Sequence, residues 1–298
     1  MSDRPSACVP AWASLFNRTR FDRFMMLIRE RLERSGERFR IGEGCVDVER
    51  VTGVATLGLG NLLQICHRSP FDDWPKLIDE HFTALLRIGE PGQAIPGEDL
   101  LADPERGRSA LRVRLLPANQ LRGLEPVASR QDLPGVATTI VLDLPSDIRA
   151  LTWTDLERLR LGPDESFALA LDNVRRRHPP QCMKVEDDSA PVRFLYSQPG
   201  DWFAASHALL LDQHDGCRGR YGALVGVPHR HMVAVHPIED GRVATAIERL
   251  APFVRQCHTD GPGSISPALF WCHDGRFDLV DAGTKVRLSA RIRRAGGG

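Results

Sequence analysis

Residues 141–176 have the sequence VLDLPSDIRALTWTDLERLRLGPDESFALALDNVRR, which contains the patterns that decide the fold class. Its apolar start is typical of a strand, and Thr152 or Thr154 is a typical N-cap for a short helix after it. Gly162 ends that helix, and Pro163 is favoured at the first position of a second one. The stretch therefore predicts a strand and two helices within one small module.

Two or three such modules are expected along the chain, which gives an α+β fold with short mixed or antiparallel sheets. The modules cover residues 15–88 (α-β-β-α), residues 111–177 (β-β-α-α) and residues 192–281 (α/β). In the first module, apolar residues at helical spacing predict a helix that ends near Gly36. The segments between the modules, 89–110 and 179–191, are rich in proline and polar residues and predict linkers.

The last module begins with the strand VRFLY (192–196), and a helical segment is expected over residues 201–211. The strings YGALVGVP and HMVAVHP predict two strands joined by a tight turn. A helix over residues 243–257 and a hairpin at Asp274-Gly275 complete the module, because Asp-Gly favours the turn that matches strand twist. Residues 282–298 carry five basic and no acidic side chains and predict a flexible basic tail.

Composition limits the classes of partner. The chain of 298 residues has 39 basic and 39 acidic side chains and a formal net charge of zero, so no overall field attracts nucleic acid or an anionic membrane. The 7 cysteines form no Cys-x-x-Cys pair, and the N-terminus shows no export signal, which is typical of reduced thiols in the cytoplasm. We therefore expect a soluble, cytoplasmic protein without a membrane segment.

Four stretches spread along the chain look like the signatures of a known family. They are TLGLGNLL (56–63), residues 141–176 with Ala170 and Asn173 near the helix end, LVGVPHRHMVAVHP (224–237) and SISPALFWCHDGRFDLV (264–280). Together they resemble the YtpQ-like family of bacterial proteins, a domain of unknown function, from about Phe21 to Val280. The resemblance implies the fold and a cytoplasmic location. It implies no catalytic residue, and His231 stands where an acidic residue is expected in that family.

A metal site is the main catalytic alternative. His229 and His231 lie two residues apart in the predicted turn, where both imidazoles can face one side and bind a metal together with His207 or His236. The competing interpretation is that these histidines are polar turn and strand-edge residues, because a metal site needs three or four converging ligands. We therefore expect no metal, and a metal-dependent hydrolase built on residues 207–236 is the alternative function.

The motifs of other common binding and catalytic sites are each incomplete in this sequence. The Gly-x-Gly of LGLGN (57–61) lacks the third glycine of a dinucleotide site, and the Gly-x-Ser-x-Gly elbow of a serine hydrolase is missing. Cys217 lies beside Arg218 and Arg220, whose charges favour a thiolate, but no base is assignable to it. The basic tail has no interleaved aromatic residues that would strengthen binding to nucleic acid.

The sequence therefore predicts a non-catalytic binding or regulatory protein whose partner is another protein or a second copy of the chain. No cofactor, membrane or nucleic-acid partner is expected. The candidate anchors of a protein interface are tryptophans, which often dominate binding energy, namely Trp12, Trp74, Trp202 and Trp271. The same residues could equally belong to the core.

Overall fold

The computed structural model describes residues 9–10, 13, 15–42, 44–50, 53–87, 97–121, 127–144, 148–186, 190–197, 201–281, 283–284, 287–288, 290 and 292. The chain divides into two compact units, Met1–Ile95 and Pro96–Gly298, and the predicted middle and last modules both lie in the second. All strand pairs in the described ranges are antiparallel, which gives the predicted α+β class. None of the helices in these ranges is long and apolar enough to span a membrane.

The first unit, where described, combines helices with a small sheet. Its elements are α1 (Arg18–Ser35), β1 (Phe39–Ile41), β2 (Cys45–Arg50), β3 (Gly53–Gly58), α2 (Gly60–Arg68), a 3-10 turn (Phe71–Asp73) and α3 (Trp74–Arg87), with the strands in the order β1-β2-β3. Asn17 caps α1, since its side chain accepts a hydrogen bond from the Arg20 amide at 2.9 Å. Gly36 ends α1 as predicted, at a φ of 72° that glycine adopts without strain.

The second unit contains the remaining elements. They are α4 (Glu98–Ala102), α5 (Pro104–Ala110), β4 (Leu111–Pro117), a 3-10 turn (Ala118–Leu121), β5 (Ser129–Leu133), β6 (Val136–Asp143), β7 (Ile148–Ala150), α6 (Trp153–Arg158), α7 (Pro163–Arg177), β8 (Gln181–Val185), β9 (Val192–Tyr196), a 3-10 segment (Ala204–Gln213), β10 (Ala223–His229), β11 (Met232–Pro237), α8 (Val243–Asp260), β12 (Leu269–His273) and β13 (Arg276–Leu279). Thr152 forms a capping box with Asp155 at the start of α6, and Pro163 begins α7, as predicted. Asp274 and Gly275 both have positive φ in the β12–β13 turn, which confirms the predicted hairpin.

Two antiparallel sheets organise the second unit. Six strands follow the order β13-β12-β10-β11-β9-β8, and the smaller sheet has the order β4-β6-β5 with β7 beside β6. β13 contacts β5, so one edge of the six-stranded sheet meets the smaller sheet. Helix α8 packs on β10, β11 and β12, whereas α7 and the 3-10 segment pack on β4. The strand at the other edge of the larger sheet is β8.

One hydrophobic cluster joins the two sheets of the second unit. Leu115 and Val136 of the smaller sheet belong to the same buried cluster as Leu195 and Val225 of the larger sheet. Ala205 of the 3-10 segment is part of this cluster too. The predicted middle and last modules therefore share a core.

Three segments differ from the sequence-based expectation. Residues 98–110, expected to be a linker, form α4 and α5, because Asp103 caps α5 through two backbone amides and Pro104 occupies its first position. Residues 181–185, also expected to be a linker, form strand β8. The helical segment expected over residues 201–211 is a 3-10 helix at Ala204–Gln213.

The segment expected to be a flexible tail is packed at two of its described positions. Thr284 and Leu288 are each 1% exposed. The Thr284 hydroxyl donates to the carbonyl oxygen of Leu279 at 2.7 Å, and Leu288 belongs to the hydrophobic cluster that includes Val254 of α8. These two side chains are therefore held by the fold, while Lys285 lies outside the described residues.

Candidate functional site

The four predicted histidines lie at three places in the second unit. His207 belongs to the 3-10 segment, His229 ends β10, His231 lies in the β10–β11 turn, and His236 belongs to β11. His207, His229 and His236 are buried, and His231 is half-buried. Within the ranges that the structure describes, no group of three or more histidine, cysteine, aspartate or glutamate side chains could hold a metal ion.

Both ring nitrogens of His207 are engaged in hydrogen bonds. Nε2 lies 2.7 Å from the carbonyl oxygen of His178 and therefore donates to it. Nδ1 lies 2.9 Å from Nε2 of His214 and accepts from it. Burial lowers the pKa of His207 to about 4. His207 is therefore neutral at pH 7, and no lone pair of its ring is left for a metal ion.

The two histidines of the β10–β11 turn hold the turn itself. Nδ1 of His231 donates to the carbonyl oxygen of Asp201 at 2.9 Å, and Nε2 accepts from Nε of Arg230 at 3.0 Å. Nδ1 of His229 accepts from the backbone amide of His231 at 3.3 Å. Burial, and then the charge of Arg230, lower the pKa of His231. The ring of His231 therefore binds protein groups through both nitrogens.

The fourth candidate, His236, connects β11 to the residue before β9. Its Nδ1 lies 2.8 Å from the carbonyl oxygen of Pro191 and donates to it. Burial lowers the pKa of His236, so this ring too is neutral at pH 7. The four predicted histidine rings thus make separate hydrogen bonds, to backbone groups and, for His207 and His231, to the side chains of His214 and Arg230.

The structure adds a histidine that the sequence-based reasoning missed. His178 follows α7, and its ring lies between two carboxylates, with Nε2 3.3 Å from Asp143 and Nδ1 3.3 Å from Asp201. Burial opposes a charge on this ring, but hydrogen bonds to the two carboxylates outweigh burial and raise the pKa of His178. Nε2 also lies 2.9 Å from Nε of Arg112. The charged ring donates to Asp143, whereas the neutral ring accepts from Arg112.

These contacts form one polar network inside the second unit. Asp201 pairs with His178 through its carboxylate and with His231 through its carbonyl oxygen. His178 in turn presents its own carbonyl oxygen to His207. The members come from β6, the end of α7, the 3-10 segment and the β10–β11 turn, so no local motif reveals them. The network can exchange a proton at His178, and it ties together the elements that surround it.

Two of the tryptophans considered as interface anchors are core residues. Trp74 is 0% exposed and Trp271 is 3% exposed, so the interpretation as anchors is wrong for both. Trp202 is half-buried, and the guanidinium of Arg230 lies 5.4 Å from its ring centroid. Trp12 lies outside the described residues. The large apolar side chains that the described part of the second unit exposes are instead Met183, Val185, Phe253 and Leu279.

Cys217 is a buried residue, and the neighbouring arginines do not activate its thiol. Cys217 is 0% exposed, and burial raises the pKa of its thiol to about 11. Arg218 pairs with the carboxylate of Asp212 instead. Cys217 is therefore a small apolar core residue.

Strand β8 is an exposed edge of the six-stranded sheet. All five residues of Gln181–Val185 are exposed, and no strand in the described ranges pairs with the outer side of β8. Natural proteins usually keep edge strands short, charged or covered, because their free amides and carbonyls can pair with another chain. In β8 the sole charged residue is Lys184.

Apolar side chains accompany this open edge. Met183 and Val185 are 49% and 42% exposed, and they lie on one face of the sheet because they are two residues apart. Phe194 of β9 lies opposite Met183, and its ring centroid is 5.2 Å from that of Phe253 on α8. Phe253 is itself 38% exposed. Met183, Val185 and Phe253, with the outer edge of β8, form what we call the β8 surface.

Comparisons with known proteins do not assign this surface a function. The chain matches no family model, no curated protein and no solved structure. The resemblance to the YtpQ-like family stays a prediction that rests on the four stretches quoted above.

Proposed function

We propose that the protein is a non-catalytic binding protein that associates with itself, and that two copies pair through their β8 strands. The observation that carries this proposal is the exposure of the whole edge strand. Antiparallel pairing of two β8 strands joins two six-stranded sheets into one and gives the free amides and carbonyls partners. Such an interface is two-fold symmetric, so the same residues act on both copies.

The charges of the strand favour a second copy as the partner. Lys184 and Glu186, the residue after β8, lie two residues apart and therefore share a face. Glu186 pairs with Arg193 of the same chain at 2.9 Å, but its side chain is 68% exposed and can accept a second cation. An antiparallel pair centred on Val185 places Lys184 of each copy opposite Glu186 of the other. Opposite charges directly across such a pair contribute about 0.2–1 kcal/mol each.

The apolar part of the β8 surface adds to this pairing. Burying a large apolar side chain contributes about 1.5–3 kcal/mol, and each copy offers Met183, Val185 and Phe253. The opposite edge of the same sheet, β13, already contacts β5. Extension of the sheet is therefore expected at β8.

Light scattering coupled to size exclusion tests the proposal on the full chain over a range of concentrations. We expect a species of twice the chain mass of 33.1 kDa. Met183→Glu should raise the dimer Kd about tenfold or more, because it places two carboxylates in an apolar interface. Lys184→Glu should weaken the dimer as well, because it sets like charges opposite each other.

Leu279→Glu is the matched control, because Leu279 lies on the opposite edge strand and is similarly exposed, at 43%. This variant should dimerise like the wild type. Circular dichroism establishes that each variant is folded before its mass is compared. A wild-type protein that stays monomeric at every concentration, or a dimer that Leu279→Glu weakens as much as Met183→Glu does, refutes the proposal.

A further inference from the structure

A small cavity lies where the two sheets of the second unit meet. Its volume is about 190 Å³, and its walls come from β5, α7, the 3-10 segment and the β12–β13 hairpin. The lining residues that matter to its chemistry are Arg130, Asp132, Asp212, Arg218, Leu209 and Phe277. The cavity therefore combines two guanidinium groups and two carboxylates with apolar side chains.

Arg130 and Asp132 lie two residues apart on β5 and form an ion pair in the wall of the cavity. Nε of Arg130 donates to Oδ2 of Asp132 at 3.0 Å. Nη1 and Nη2 of Arg130 and Oδ1 of Asp132 have no hydrogen-bond partner in the part of the chain that the structure describes. The pair thus places the donors of a cation directly beside the acceptor of an anion.

The guanidinium group of Arg130 is held in place by an aromatic ring. Its Cζ lies 4.3 Å from the ring centroid of Phe167 on α7, which is the geometry of a cation–π contact. Phe167 is only 3% exposed, so the core fixes the ring. A group that is ordered before a ligand arrives loses less conformational entropy on binding.

The other polar groups of the cavity leave it without net charge. Arg218 pairs with the carboxylate of Asp212. Burial raises the pKa of the Cys272 thiol to about 11, so Cys272 lines the cavity as a neutral group at pH 7. A ligand with one negative charge would meet the Asp132 carboxylate beside Arg130, and a ligand with one positive charge would meet Arg130 beside Asp132. The lining is therefore suited to a ligand that carries both charges.

We infer that this cavity binds a free α-amino acid with an apolar side chain of about the size of leucine. The carboxylate and the ammonium group of an α-amino acid are attached to one carbon atom, so they can meet adjacent partners such as Arg130 and Asp132. The carboxylate accepts from Nη of Arg130 and the ammonium group donates to Oδ1 of Asp132, both as charge-assisted hydrogen bonds.

The apolar part of the cavity matches the side chain of such a ligand. Leu209 and Phe277 are half-buried and pack against the cluster that joins the two sheets. A cavity of about 150 Å³ lined by apolar side chains holds a benzene molecule. The 190 Å³ found here therefore suits a branched aliphatic side chain together with part of the polar head group.

Isothermal titration calorimetry of the full chain with L-leucine tests this inference. Wild-type protein should bind L-leucine at least about tenfold more tightly than 4-methylpentanoate, which lacks the ammonium group, or 3-methylbutylamine, which lacks the carboxylate. Glycine should bind more weakly than L-leucine, because it has no apolar side chain. Arg130→Gln should weaken binding of L-leucine about tenfold or more, the usual effect of losing a charged hydrogen bond.

Two further variants separate recognition of both charges from general attraction to arginine. Asp132→Asn should weaken binding of L-leucine but not that of 4-methylpentanoate, which has no group for Asp132 to bind. Arg175→Gln is the control, since Arg175 pairs with Asp172 on α7 and does not line the cavity. Its Kd should stay within about twofold of wild type, as for most surface substitutions.

Circular dichroism establishes that each variant is folded before its affinity is compared. The inference is overturned by a wild type that does not bind L-leucine at millimolar concentration, or by either single-charge analogue binding as tightly as L-leucine. Equal losses of affinity in Arg175→Gln and Arg130→Gln would overturn it as well.

Discussion

Acidification should destabilise the second unit through His207, and the size of the effect follows from the structure. The ring is 1% exposed, and its Nδ1 already accepts a hydrogen bond from Nε2 of His214. Protonation of Nδ1 therefore breaks that bond and creates a buried charge. The pKa of His207 falls from 6.5 to about 4 because of burial, and each pKa unit corresponds to about 1.4 kcal/mol. The cost of acidification from pH 7 to pH 4 is then about 3 kcal/mol.

Acidification lowers the free energy of unfolding because the unfolded chain binds a proton at His207 more tightly than the folded chain does. The unfolded chain protonates His207 near pH 6.5 and the folded chain near pH 4, so stability is lost as the pH falls between these values. His178 acts in the opposite direction, because its pKa is raised. Its contribution is present below pH 6.5 and is lost as the pH rises through the folded-state pKa. As the pH rises, His207 is thus expected to increase the free energy of unfolding and His178 to decrease it.

Proton NMR of the imidazole groups measures the pKa of His207 directly, and urea unfolding followed by circular dichroism measures stability at each pH. His207→Gln should be less stable than wild type at pH 7 but should lose about 3 kcal/mol less between pH 7 and pH 4. His178→Asn is the matched variant. It should reduce the loss of stability that the wild type shows as the pH rises through the folded-state pKa of His178. A His207 pKa at or above 6.5, or an unchanged acid slope in His207→Gln, would refute the tautomers assigned to this network.

Two other predictions concern packing and thiol reactivity. A Cβ at Gly107 would lie 2.5 Å from the carbonyl oxygen of Leu100 and 2.5 Å from Cδ2 of Leu159. Gly107→Ala should therefore destabilise the second unit by up to about 2 kcal/mol in urea unfolding, since overpacking costs about 1–3 kcal/mol and alanine regains roughly 1 kcal/mol in a helix. Gly60→Ala, whose added Cβ meets nothing within 4 Å, should not destabilise the protein, and equal losses in both variants would contradict the packing argument. In the folded protein, iodoacetamide followed by peptide mapping should modify the exposed Cys182 and spare Cys217, whose pKa burial raises to about 11. Labelling of both at similar rates would show that Cys217 is accessible.

The elements that the sequence predicts correctly are those with signals at their own ends. Thr152 begins α6 and Pro163 begins α7 because a cap or a fixed φ acts within a few residues. The hairpin at Asp274 follows from the same kind of local chemistry. Such features depend on neighbours in the sequence, so they can be recognised without knowledge of the fold.

The polar network could not be predicted because its partners are distant in the sequence. His178 has an ordinary local context, and its properties come from Asp143 on β6 and Asp201 before the 3-10 segment. The spacing of His229 and His231 pointed to a shared ligand, but the first holds the turn and the second binds Asp201 and Arg230. Whether a histidine nitrogen is available to a metal depends on its hydrogen bonds to residues distant in the sequence. The spacing of two histidines along the chain does not reveal those bonds.

Two segments whose composition predicted linkers contain helices or a strand. Residues 89–110 contain α4 and α5, and residues 179–191 contain β8. For α5 a signal was present in Asp103-Pro104, a cap followed by a residue suited to the first helical position, but the glycine and proline content outweighed it. For β8 no local signal existed, because the strand forms by pairing with β9.

The exposure of β8 explains why a partner would matter to its stability. None of its five residues is buried, so its order depends on hydrogen bonds to β9 with little help from side-chain burial. A strand held in this way opens more readily than the buried strands β10 and β11, since local stability follows the apolar contacts that opening breaks. Pairing with a second β8 adds backbone hydrogen bonds on the free side and removes Met183 and Val185 from water. Association and ordering of this edge are therefore expected to be coupled, because both depend on the outer side of β8, with which no strand in the described ranges pairs.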